Sequence, residues 1–97
     1  MANVGDSLAT VVKKDGSWSQ MSIEHLATNQ DEKERIKLAD GIIMHDRVNG
    51  SLNVTRAFGD IEHKDCIIPE PDCQTMQLSD NDDLLILASD GIYRSYT

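Results

Sequence analysis

Apolar positions come in short stretches along this chain, and the longest unbroken one is Leu84-Leu85-Ile86-Leu87-Ala88. That length is short for a helix and suits a strand buried on both faces. Ser89-Asp90-Gly91 follows at once, so the strand is predicted to end in a sharp turn that the glycine permits, with the Asp90 carboxylate at the strand end. Leu8 to Val12 is apolar and β-branched enough for a second strand. Trp18 to Ile23 reads as its returning partner, because Asp15-Gly16 between them is a strong hairpin signal.

One helix is predicted. Asp31 offers an N-cap with Glu34 three residues later, Ile36 and Ala39 share one face, and Gly41 closes the segment. Its charged residues read as a solvated face. Ile42 to Met44 reads as a short strand and Asn49-Gly50 as a turn, whereas the polar Ile61 to Ile68 reads as a loop. Pro69 and Pro71 force an extended entry to Asp72–Leu78, where Gln74, Met76 and Leu78 fall on one side, and Ser79–Asp83 is a dense turn cluster. The expectation is an α+β chain, rich in antiparallel strands, with one short helix.

At 97 residues the chain is one domain or less, and its 39% apolar and 27% charged residues fit a folded globular chain. A net charge of −8 speaks against nucleic acid and anionic membrane as partners and is compatible with divalent cations. No apolar run approaches membrane-spanning length and the N-terminus lacks a signal-peptide layout, so the expected location is cytoplasmic. The two cysteines, Cys66 and Cys73, are too few for a disulfide framework, and reduced thiols are expected.

Chemistry concentrates at Asp90, because a carboxylate held at the end of a rigid strand can bind a hard cation. The bland alternative is an ordinary turn aspartate. Arg47 and Arg56 are candidates for bidentate contact with a phosphate, with turn stabilisation as the alternative. His25 and His45 read as exposed or satisfied polar residues rather than general acids.

Six blocks then appear in order: Asn3-Val4-Gly5-Asp6-Ser7, Glu32-Lys33-Glu34-Arg35-Ile36, Arg47-Val48-Asn49-Gly50-Ser51-Leu52, Arg56-Ala57-Phe58-Gly59-Asp60, Pro69-Glu70-Pro71-Asp72 and Leu85-Ile86-Leu87-Ala88-Ser89-Asp90-Gly91-Ile92. Gly-Asp-Ser alone is weak; six blocks in register across nearly the whole chain are specific. Together they resemble the type 2C metal-dependent serine/threonine protein phosphatases, over the central to C-terminal-middle part of the catalytic domain. The resemblance implies a partial β-sandwich belonging to a four-layer fold, a magnesium or manganese pair in the cleft, and a phosphoprotein substrate. In such a site the metals acidify a bridging water that attacks phosphorus in line. It also implies metal positions at Asp90 with Gly91, where the family binds its dinuclear centre, and at Asp6, associated with an additional, weaker metal. Residues from about 25 to 50 correspond to the family's flap, within a single partial domain spanning 1–97.

The departures shape the functional expectation. The family's preceding acidic pair, its Asp-Gly-His-Gly-Gly stretch and its phosphate-binding arginine have no counterpart in these residues, nor does the later Asp-Asn ligand. Arg94 stands where the family often has an acidic residue, and Leu8 where it often has arginine. Asp90 alone cannot bridge two cations about 3.5–4 Å apart. Three readings follow: a segment of a type 2C phosphatase that lacks a complete dinuclear site, a non-catalytic pseudophosphatase or interaction module, or a minimal phosphatase with weak metal-dependent activity. A homodimer is expected, because a strand lacking its neighbours leaves an open edge and an uncovered apolar face.

Overall fold

The computed structural model describes residues 1–94. The elements are β1 (Ala2–Asn3), β2 (Leu8–Lys13), β3 (Trp18–Gln20), α1 (Gln30–Leu38), β4 (Ile43–Met44), β5 (Arg47–Val48), a 3-10 turn (Ile61–His63), β6 (Asp72–Cys73), β7 (Asp82–Ala88) and α2 (Asp90–Tyr93). β2 lies between β3 and β7 in an antiparallel sheet, while β1 pairs with β6 and β4 with β5. The α+β, antiparallel expectation holds.

The β2–β3 hairpin turns at Asp15-Gly16 as predicted. Gly16 has φ +88°, and the Asp15 carboxylate accepts from the Ser17 amide at 2.8 Å and hydroxyl at 2.6 Å. The returning strand is shorter than expected, since buried Ser22 leaves the ladder and its hydroxyl accepts from Ala9 N–H at 2.9 Å.

Helix α1 begins two residues earlier than expected, and its cap is Asn29, not Asp31. The Asn29 side chain accepts from the amides of Asp31 (3.0 Å) and Glu32 (3.3 Å), satisfying first-turn donors. The helix ends in a Schellman motif in which Gly41 N–H reaches Ile36 O (2.9 Å) and Asp40 N–H reaches Lys37 O (3.1 Å). Asp40 takes the left-handed position at φ 61°, so Gly41 is needed for another reason. A Cβ there would meet Ile36 Cγ2 at 2.6 Å and Cys66 Sγ at 3.2 Å.

That close approach seals the core of Ala27, Ile36, Val48, Cys66 and Ile67, with Ala39 packed against it. The stretch read as a loop, 61–68, therefore contributes two core residues. Its backbone turns through Ile61–His63, and Ile67 N–H bonds His63 O at 2.8 Å, which folds Cys66 and Ile67 inward.

Two expectations fail at β7. Leu84, Leu85, Ile86 and Leu87 are 54%, 61%, 46% and 71% exposed, so the strand is not buried on both faces. The physical reason is its surroundings: among the described residues β7 pairs with β2 on one side and with no strand on the other, and too little packs across its faces to cover these side chains. Gly91 does not make the turn either. Ser89 is extended (ψ 174°) and the chain enters α2 directly at Asp90, with Gly91 inside that single helical turn.

Candidate functional site

The β2–β7 register places the predicted acidic residues. Leu8 pairs with Ala88, so Asp6 and Asp90 each lie two residues beyond the same end of the ladder. The two flanking segments are tied together, because the Tyr93 hydroxyl on α2 donates to the Asp6 carbonyl at 2.6 Å. Burial pushes the Tyr93 phenol above its ordinary pKa, and the negative charges of Asp6 and Glu24 push it further, so it remains a donor. Arg94 Nη2 lies 4.0 Å from Asp6 Oδ2. Asp90 and Gly91 are exposed on α2.

The two carboxylates near one end invite a cation, but they do not fit a dinuclear centre on their own. Among the described residues no three His, Cys, Asp or Glu side chains converge to hold a metal ion. The Arg94 guanidinium near Asp6 further opposes a second positive charge there.

The two arginines have different fates. Arg47 is exposed on β5, with Nη1 donating to Ser51 O at 2.9 Å, and it borders a shallow depression shared with Arg94, His45 and Asn53. Arg56 is engaged elsewhere. Its Nε and Nη2 clasp the two oxygens of Glu32 at 2.8 and 3.0 Å, and its Nη1 donates to Glu70 O at 3.0 Å. The geometry therefore favours the structural alternative for Arg56.

Glu32 is the centre that sequence reading missed. It is 4% exposed, and besides Arg56 it accepts from the Thr55 hydroxyl at 2.7 Å and lies 3.5 Å from Arg35 Nη2. Burial pushes its carboxyl up, but the Arg56 and Thr55 hydrogen bonds and the neighbouring positive charges outweigh that and hold it at about 2. Glu32 precedes Ile36 by four residues, hence shares its face of the helix. A carboxylate on an apolar face demands a buried cation, and that spacing was the available signal.

His25 is also buried, 2% exposed, and its ring Nδ1 accepts from Gly5 N–H at 3.1 Å. Burial lowers its pKa, and the Arg56 charge lowers it further. The ring is a satisfied, neutral core histidine. His45 is exposed.

The family model described as protein phosphatase 2C matches residues 1–97. The Arabidopsis thaliana protein named Probable protein phosphatase 2C 60 is 41% identical over 100% of this chain and 29% of its own length. A Paramecium tetraurelia protein, Probable protein phosphatase 2C 2, is 36% identical over 98% of the chain and 34% of its own. Among solved structures, a C. elegans sex determining protein superposes with a TM-score of 0.92 at 32% identity, over 99% of this chain and 24% of that one. A phosphatase from Toxoplasma gondii gives 0.84 at 34% identity, over 96% and 31%. The chain thus spans about a third or less of the relatives it matches.

Proposed function

The chain belongs to the protein phosphatase 2C family, and on that premise we propose that it is a segment of a metal-dependent phosphoserine/phosphothreonine protein phosphatase, active only within a more complete domain. The observation that carries this reading is the β2–β7 register, which sets Asp6 and Asp90 at one end of the sheet. Those carboxylates are this segment's part of a magnesium or manganese site whose other ligands lie outside residues 1–97. Arg47, beside the depression that Arg94 also lines, is the candidate contact for a phosphorylated side chain; Arg56, clasped by Glu32, supports the flap-like region instead.

A chimera tests the proposal: this chain replaces the matching segment of the Arabidopsis relative, and hydrolysis of a phosphothreonine peptide is followed with added manganese. The chain alone should be inactive, the chimera active, and Asp90→Asn in the chimera inactive. Manganese-dependent hydrolysis by the chain alone would instead establish the minimal phosphatase. A folded but inactive chimera would leave the non-catalytic module.

One observation favours that second reading. The open β7 edge and its exposed Leu84 to Leu87 suit pairing with a second copy in a twofold dimer, and the charge of −8 opposes unlimited growth. Sedimentation at micromolar concentration decides it, a stable monomer ruling it out.

A further inference from the structure

Asp6 follows a residue that is gripped at two points. Gly5 is buried, with φ +109°, a conformation that side chains rarely adopt. Its N–H donates to His25 Nδ1 at 3.1 Å, and its carbonyl accepts from His25 N–H at 2.9 Å. These bonds fix the peptide planes on both sides of Gly5, and the second of those planes leads directly into Asp6. The Asp6 carbonyl is then held by the Tyr93 hydroxyl at 2.6 Å.

The grip is itself anchored. The His25 carbonyl accepts from Thr55 N–H at 2.8 Å, and the Thr55 hydroxyl donates to the buried Glu32 carboxylate at 2.7 Å. A continuous series of hydrogen bonds therefore runs from helix α1 through Thr55 and His25 to the turn before Asp6. The ring cannot act on a substrate directly, because it is 2% exposed. Its Nδ1 accepts, so the neutral ring carries its proton on Nε2. Arg56, Glu32, Asp72 and Arg35 are the charged groups around it.

We propose that His25 is a positioning residue that sets the Gly5–Asp6 turn from the flap-like region and thereby places the Asp6 carboxylate. Its functional part rests on the phosphatase reading above; the grip itself does not.

The test separates the two. In the labelled chain, amide hydrogen exchange is measured by NMR for Gly5 and, as an internal reference, for Lys33 in α1. His25→Phe fills the volume without an acceptor and should speed Gly5 exchange by about two- to tenfold relative to Lys33, as expected for one lost hydrogen bond. His25→Asn keeps an acceptor near the Nδ1 position and should restore protection, whereas His25→Gln, with its acceptor one bond farther out, should not. Should His25→Phe not fold, the Asn and Gln pair carries the comparison. Equal Gly5 protection in the Asn and Gln variants, or in parent and Phe, overturns the grip. In the chimera, the Gln variant should raise the half-saturating manganese concentration severalfold and the Asn variant return it towards the parent. An altered Gly5 amide with an unchanged manganese requirement overturns the positioning role, while an inactive parent chimera overturns the phosphatase reading alone.

Discussion

Around α1 the chain buries a carboxylate, and along β7 it exposes four large aliphatic side chains. Glu32 is 4% exposed and Leu87 is 71% exposed, the reverse of what side-chain type alone predicts. The difference lies in the partners each finds. Glu32 meets Arg56 bidentately, Thr55 at 2.7 Å and Arg35 at 3.5 Å, all within this chain, so its lost hydration is replaced. Leu84 to Leu87 meet β2 along one edge, and the described residues supply no layer to cover them. Burial follows the partners available, and hydrophobicity states only what a segment would accept.

The largest effect should come from breaking the filled side of this contrast. Glu32→Ala leaves Arg56 and Thr55 without their buried acceptor and should cost about 3–5 kcal/mol in urea unfolding. Acid should have the same target. The Glu32 carboxyl is held at about 2, below its ordinary 4.5, so its contribution is complete above about 4.5 and is lost as pH falls towards 2. His25 adds an earlier step of the same sign. Its pKa is lowered on folding, so stability begins to fall once pH drops below the ordinary histidine value of about 6.5. Melting temperatures across this range should show both steps. Glu32→Gln should flatten the lower one while enlarging the His25 step, because the Glu32 charge raises the His25 pKa.

Within α1 the contrast sharpens over two residues. Ile36 is fully buried against Gly41 and Cys66, whereas Leu38 is 88% exposed. Ile36→Ala should cost about 2–5 kcal/mol. Leu38→Ala should stay within about 0.5 kcal/mol. Equal losses for the two would mean that the helix packs by a different face.

What was legible in the sequence follows the same division. The β2–β3 hairpin was readable because Asp15-Gly16 is a local signal, and the helix because Ile36 and Ala39 share a face. Its cap was misplaced by two residues, since Asn29 and Asp31 are both competent and the choice falls where the Glu32 carboxylate is drawn away to Arg56 and Thr55. Cys66 and Ile67 were hidden by polar neighbours in a segment without periodicity. That Asp6 and Asp90 lie beyond the same end of the β2–β7 ladder was not legible from local pattern, because it depends on a register spanning some eighty residues. The His25 grip on Gly5 left no sequence signal at all; one of its two bonds comes from a backbone amide that any residue but proline carries.

The smallest effect is expected at the empty side of the contrast. Ile86 pairs with Thr10 of β2 and remains 46% exposed, so roughly half its side chain already meets water. Ile86→Ala should therefore cost about 1 kcal/mol, well below Ile36→Ala, because the truncation removes little buried area and opens no closed cavity. A loss of about 2–5 kcal/mol would show that β7 is covered in solution. The cover would then be a second copy if the loss grows with protein concentration, since association stabilises by mass action and a self-contained fold does not. If the loss is large and independent of concentration, another part of the same chain must cover the β7 side chains.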